Sequence, residues 1–322
     1  MKLVVLDGGV LNPGDLSWDA LGKIGTLKVY DNTAPEQVVE RIGDAQVVIV
    51  NKVALGADVL AQCPDLKLIA VTATGYNIID LAAARVRGIA VANVPTYGTA
   101  TVAQFTTALL LTLCNRVSEH AADVSAGGWS EKTDFCYWLH PMLELAGKNV
   151  GIIGYGRIGQ AFGAVAQALG MQVLAYDEYR DPAQESQRVR YVDLDTLYAE
   201  ADVISLHCLL TPKTQGMINA AALDKMKKSV LLLNASRGDL INEADLAQAL
   251  NAGRIAGAAV DVLTQEPPPR DNPLLSATNC LVTPHIAWAS VEARGRILDT
   301  TVDNIHAFLA GRPQNRVDGQ GK

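Results

Sequence analysis

The chain has 322 residues, of which 49% are hydrophobic, and a formal net charge of −7. That length suits about two domains of roughly 100–200 residues, with enough apolar side chains to fill a core in each. An acidic balance with no run of lysine and arginine excludes nucleic acid or an anionic membrane as the main partner, so a small anion must be drawn in by a local site.

The cysteines, Cys63, Cys114, Cys136, Cys208 and Cys280, are far apart, odd in number and without C-x-x-C spacing. They suggest neither a disulfide framework nor a metal site, and fit the reducing cytoplasm. The first apolar run, in MKLVVLDGG, meets an acid too early for a signal-peptide core, and no stretch of about 18 apolar residues follows, so a soluble, cytoplasmic protein is expected.

Short apolar runs at 3–6, 27–30, 47–50, 68–72 and 89–92 alternate with helical patterns such as 35–42 and 79–87. This β-α alternation predicts a small domain built on a parallel sheet. A long helical segment, 101–126, follows it.

The run 150–153 then reads as a buried strand, and Gly154, Gly156 and Gly159 form G-x-G-x-x-G ahead of a helix that ends near Gly170. The first glycine permits a tight turn, the second lets backbone approach a phosphate, and the third allows the helix to pack closely on the strand, while free N–H groups at the helix start face an anion. The next run, 172–176, ends at Asp177, whose carboxylate suits the hydroxyls of an adenosine ribose. A 2′-phosphate would meet a like charge there, softened by Arg180 nearby, so NADH is expected over NADPH. Further runs at 203–207, 230–234, 258–262 and 280–283, with a helix at 243–250, bring this domain to six strands, the full dinucleotide-binding plan.

A second long helix, 290–310, leads to a polar, Gly-rich tail at 312–322 that is expected to be loose. If the chain returns through that helix to its first domain, the substrate domain is discontinuous, 1–98 with 288–322, around an inserted dinucleotide-binding domain, 99–287. The fold class is then α/β, two Rossmann-like doubly wound sheets, the first flavodoxin-like, with a cleft between them suited to a small molecule.

Three residues stand where strands of the second domain end: Arg237 in NASRGD, Glu266 in DVLTQEPP and His285 in VTPHIAW. Ligands of open α/β sheets bind outside the carboxyl ends of the strands. A carboxylate beside an imidazole favours the protonated ring, a competent acid near neutral pH, and a guanidinium offers a planar fork to a carboxylate and its adjacent carbonyl. His207, also at a strand end, lacks an acidic neighbour and reads as structural, as do His120 and His306 on helices.

The glycine loop together with 234–239, 259–267 and 283–288 resembles the D-isomer-specific 2-hydroxyacid dehydrogenases, over nearly the whole chain. The resemblance implies that Arg237 orients a 2-oxo acid, that His285 exchanges the proton and that Glu266 holds His285. It implies that the turn Ala73, Thr74 and Gly75 offers backbone N–H groups to the substrate carboxylate, with Asn51 and Lys52 near its distal end. It also implies NAD contacts from Thr106, Arg157, Ile158, Cys208, Pro212, Ala235, Ser236 and Asp261, alongside Gly154, Gly156, Gly159 and Asp177, with Arg237 and His285 facing both ligands, and no metal.

Within that family, 129–147 is most similar to the bacterial glycerate dehydrogenases, or hydroxypyruvate reductases, whose dimer arm it suggests through Phe135, Tyr137, Trp138 and Pro141. A homodimer acting on hydroxypyruvate and D-glycerate, and on glyoxylate, is the expectation. Its rivals are a reductase of larger 2-oxo acids and an NAD-sensing corepressor on the same fold.

Overall fold

The computed structural model describes residues 1–319. The chain divides into two compact units, Met1–Gly98 with the segment from Ala289 onward, and Thr99–Trp288.

Unit 1 holds five parallel strands, β1 (Lys2–Val5), β2 (Thr26–Val29), β3 (Val47–Val50), β4 (Leu68–Val71) and β5 (Ala90–Ala92), in the order β2-β1-β3-β4-β5. This is the flavodoxin-like order, with its switch point between β1 and β3. The inner strands read as unbroken apolar runs because helices cover both faces, and alternate residues serve opposite cores. Val48, Val50, Ile69 and Val71 join Val38, Ile42 and Leu60 on one face. Val47, Ile49, Leu68 and Ala70 meet Leu298 and Ile305 of the helix Val291–Leu309 on the other.

The tail is not loose up to Gly319. Val317 donates to the Val91 carbonyl, Asn93 donates to that of Asn315, and the carboxylate of buried Asp318 takes the Val91 N–H, so the tail covers the open edge of β5. A polar composition hid this, because the contacts are made largely by backbone.

Unit 2 holds seven parallel strands: β6 (Asn149–Ile153), β7 (Gln172–Tyr176), β8 (Val189–Tyr191), β9 (Val203–Leu206), β10 (Leu231–Asn234), β11 (Gly257–Val260) and β12 (Cys280–Val282). Their order is β12-β11-β10-β9-β6-β7-β8, so the direction of winding reverses beside the glycine loop after β6. The seventh strand, β8, gives no signal in the sequence because three residues at a sheet edge are too few to show a period. The helices Thr99–Asn115 and Arg157–Ala168 cover one face, where Leu110, Phe162 and Ala166 pack on Val150, Ile152 and Val173. Burying a side chain such as Phe162, 1% exposed, contributes about 1.5–3 kcal/mol.

The expected single helix over 101–126 is two, Thr99–Asn115 and Val117–Ser125, broken at Arg116 in the left-handed region with φ of 46°. A tertiary partner holds the break: Arg116 Nη2 donates to Asn279 Oδ1 at 2.7 Å. The second helix anchors the aromatic arm, with the Tyr137 hydroxyl donating to Asp123 at 2.6 Å and the Leu139 N–H donating to His120 Nε2 at 3.1 Å. No helix among the described residues is long and apolar enough to cross a membrane.

Candidate active site

Because all seven strands of unit 2 run parallel, their carboxyl ends share one edge of the sheet, and the loops past that edge carry most of the expected site residues. The glycine loop opens the row. Gly154 has φ of +94°, and a Cβ there would lie 2.4 Å from the Cys208 nitrogen. A Cβ on Gly159 would lie 2.2 Å from the Gly154 oxygen, so only glycine lets the helix Arg157–Ala168 start this close to β6. Around Gly156 nothing lies within 4 Å of a Cβ, and as N-cap it brings no side chain to the first N–H groups of that helix. An open, uncapped helix start is what a pyrophosphate requires, so these residues fit a dinucleotide.

Asp177, just past β7, braces the loop: its Oδ2 accepts the Tyr155 N–H at 2.7 Å and its Oδ1 that of Tyr179 at 3.0 Å. Each oxygen keeps a lone pair for a ribose hydroxyl. Arg157 is exposed at the helix start and Ile158 is half-buried behind it. Past β9, Cys208 is half-buried, and burial pushes its thiol up to about 11, so it stays protonated and inert. Its carbonyl accepts the Ser236 hydroxyl at 2.8 Å, tying this loop to the one after β10, while Pro212 is exposed beyond it.

Asn234, fully buried at the end of β10, shapes the Ala235–Ser236–Arg237 turn by donating to the Arg237 carbonyl at 2.9 Å and accepting the Ser236 N–H at 3.0 Å. The Arg237 side chain is thereby left exposed. The next residue must be glycine, since a Cβ on Gly238 would lie 2.0 Å from the Leu263 carbonyl carbon. That contact sets the Arg237 turn against the turn that carries Glu266, whose Oε1 accepts the Leu263 N–H at 3.0 Å. Glu266 Oε2 meets His285 Nδ1 at 2.7 Å, both side chains being about one-third exposed. A carboxylate only accepts, so Nδ1 carries its proton toward Glu266 and Nε2 is the ring nitrogen left to exchange one with a ligand.

His285 itself is in the left-handed region, with φ of 55°. Asp261 explains how that strain persists: 1% exposed past β11, it accepts the Thr283 hydroxyl at 2.6 Å, the Ile286 N–H at 3.0 Å and the Ala287 N–H at 2.7 Å, while its carbonyl takes the His285 N–H at 2.8 Å. This bracing role was not visible in the sequence, where only the acid at a strand end is. Thr106, another expected cofactor residue that is buried, donates its hydroxyl to the Val102 carbonyl at 2.8 Å within its helix. His207 lies apart from this chemistry. Its Nε2 is 2.9 Å from the Ser205 hydroxyl, its ring packs on Phe162, and burial holds its pKa down at about 4.

In unit 1, Ala73, Thr74 and Gly75 follow β4, and Asn51 and Lys52 follow β3. The Asn51 amide is committed to the Thr72 carbonyl at 2.9 Å, whereas Lys52 is exposed. Lys52 lines a cavity of about 660 Å³ with Asp7, Thr33 and Val53, over the β1–β3 switch point. Among the described residues no cluster of His, Cys, Asp and Glu is able to hold a metal ion.

Residues 107–287 match the family described as D-isomer specific 2-hydroxyacid dehydrogenase, NAD binding domain. The chain is 52% identical over 321 residues to a hydroxypyruvate reductase of Blautia hydrogenotrophica, covering 99% of this chain and 100% of that protein. It is 46% identical over 294 residues to a glycerate dehydrogenase of Methylorubrum extorquens, covering 90% and 91%. Among solved structures, the TT0316 protein of Thermus thermophilus superposes with a TM-score of 0.85 at 35% identity, covering 98% of this chain and all of that one. The glycine loop fit for a dinucleotide, the His285–Glu266 pair and these likenesses together make the chain a member of the D-isomer-specific 2-hydroxyacid dehydrogenases, an oxidoreductase that uses NAD(H).

Proposed function

We propose that this enzyme interconverts hydroxypyruvate and D-glycerate, with NADH preferred to NADPH, and that it also reduces glyoxylate. The single observation that carries the acid–base assignment is the 2.7 Å contact between His285 Nδ1 and Glu266. NAD(H), when bound, supplies the hydride to the carbonyl carbon or takes it back. His285 Nε2 gives a proton to the carbonyl oxygen in reduction and removes it from the hydroxyl in oxidation, while Glu266 fixes the ring and balances its charge. Arg237 lays its fork along the carboxylate and the carbonyl oxygen, and the Ala73–Thr74–Gly75 backbone cradles the carboxylate. Proton transfer of this kind contributes about 10²- to 10⁴-fold, and positioning by Arg237 and the backbone must supply the rest.

Cofactor contacts from Thr106, Gly154, Gly156, Arg157, Ile158, Gly159, Asp177, Cys208, Pro212, Ala235, Ser236 and Asp261, and substrate contacts from Asn51 and Lys52, belong to the same reading. Asp177 supports the preference for NADH, since a 2′-phosphate beside it meets like charge. The names of the two relatives support hydroxypyruvate and glycerate. The arm supports a homodimer, since Phe135 is 88% exposed and Trp138 64%, apolar surface that a second copy would cover, and the free cysteines support the cytoplasm. Initial rates with NADH and NADPH against hydroxypyruvate, glyoxylate, pyruvate and phenylpyruvate test the reading. The highest kcat/KM is expected for NADH with hydroxypyruvate, and a higher value with phenylpyruvate overturns the substrate.

A further inference from the structure

Four neighbouring strands of unit 1 end in buried polar side chains: Asp7 beyond β1, Asn51 after β3, Thr72 after β4 and Asn93 after β5. None exceeds 7% exposure, and their hydrogen bonds run mostly to the backbone of the next loop. Asp7 accepts the N–H groups of Asn51, Lys52 and Val53 at 2.8, 2.6 and 3.0 Å. Asn51 donates to the Thr72 carbonyl and hydroxyl at 2.9 and 3.1 Å. Asn93 donates to the Thr74 carbonyl at 2.8 Å, and the Thr74 hydroxyl donates back to the Val94 carbonyl at 3.0 Å. Behind Asn93 stands a second row, in which buried Asn304 donates to the Asn93 carbonyl at 2.9 Å and Asn315 donates to Asn304 Oδ1 at 2.8 Å.

The direction of these bonds has a geometric result. The carbonyl of Ala73 accepts the Val94 N–H at 3.1 Å, and that of Thr74 accepts from Asn93, so both carbonyls turn toward the segment that follows β5. In a trans peptide the N–H of the next residue points the opposite way from the carbonyl. The N–H groups of Thr74 and Gly75 therefore both turn away from β5, side by side, the arrangement that makes an anion cradle.

We propose that Asn93, backed by Asn304 and Asn315, is a positioning residue that aims the Thr74 and Gly75 N–H groups at the substrate carboxylate. This rests on the reading of that turn as the carboxylate site. Asn93 touches no ligand and acts only through the Thr74 peptide. Its effect falls on the oxo acid and spares the nucleotide and the proton transfer.

The test compares Asn93→Ala, Asn315→Gly and Gly75→Pro in the full-length enzyme, measuring KM for hydroxypyruvate, glyoxylate and NADH, kcat at saturation, and Tm. Asn93→Ala is expected to raise the KM of both oxo acids by about tenfold, equally because the carboxylate is what they share, and to leave kcat and the NADH KM within about twofold. Asn315→Gly, at a residue whose φ of 53° glycine tolerates, is expected to raise the same KM values about two- to threefold. It decides by the same split if Asn93→Ala does not fold. Unchanged oxo-acid KM in folded Asn93→Ala, with a raised value in Gly75→Pro, overturns the positioning role and spares the carboxylate site. Unchanged values in both overturn the site and the proposal with it. A rise shared equally by the NADH KM, together with a fall in kcat, shows a purely structural residue and also overturns the proposal.

Discussion

In unit 2 the loops past β10, β11 and β12 carry charged side chains, Arg237, Glu266 and His285, that reach solvent, whereas in unit 1 the positions past β1, β3, β4 and β5 carry buried side chains whose bonds go mostly to backbone. Unit 2 therefore presents side-chain chemistry on a braced backbone. Unit 1 presents backbone itself, and its side chains are the brace. Damage to the first is expected to appear in kcat, and damage to the second in the KM of the oxo acid, which is the contrast that the Asn93 and His285 variants draw.

His285→Ala gives the largest expected effect. Removing the proton donor should lower kcat by about 10²- to 10⁴-fold, near 3–5 kcal/mol of barrier, and leave the NADH dissociation constant close to that of the parent, because the glycine loop and Asp177 are untouched. Steady-state rates and NADH fluorescence titration check both halves. Unaltered turnover would remove His285 from the acid–base role and with it the contrast between the units.

The two strand-end histidines of unit 2 sharpen the comparison further, because His207 behaves like a residue of unit 1. Burial depresses its pKa to about 4 from an ordinary 6.5. The folded chain therefore refuses a proton that the unfolded chain binds below about pH 6.5, so its contribution to stability is complete above that pH and is lost as the pH falls toward 4. The loss amounts to about 3 kcal/mol by the bottom of that window. Denaturant unfolding at pH 7 and at pH 4.5 should show a shallower decline for His207→Gln than for the parent. Parallel declines would show that His207 does not govern the acid limb.

The same contrast explains what could be read from the sequence. All the strands but β8, the glycine loop and the three charged residues at strand ends were legible, because apolar runs, glycine spacing and charge at a strand end are local signals. Asp261 was legible as an acid at a strand end but not as the brace of the His285 loop, since its three donors lie 22 to 26 residues further along the chain. Asn93 and Asn304 gave no signal at all. An amide that bonds to backbone 19 residues away, held by another 211 residues away, has no signature in spacing or composition. The break at Arg116 and the packed tail escaped for the same reason, each being fixed by a partner distant in sequence, Asn279 for the first and the β5 edge for the second.

Asp261→Asn tests the brace of unit 2 as Asn93→Ala tests that of unit 1, with a smaller expected effect than either histidine variant. The buried carboxylate accepts from three donors, with the Ile286 N–H and the Thr283 hydroxyl on Oδ1 and the Ala287 N–H on Oδ2. An amide in its place keeps one accepting end, so its NH₂ must face at least the Ala287 N–H, setting two donors against each other in a buried site. Leaving that group unsatisfied costs about 2 kcal/mol, which for a unit of this size lowers Tm by roughly 4–8 °C. The loop that relaxes is the one holding His285 at its strained φ, so kcat should fall about tenfold while the KM of the oxo acid stays within about twofold. The two braces then fail in opposite kinetic parameters. A variant of Asp261 that raised the oxo-acid KM and kept kcat would show that its carboxylate aims something other than the imidazole.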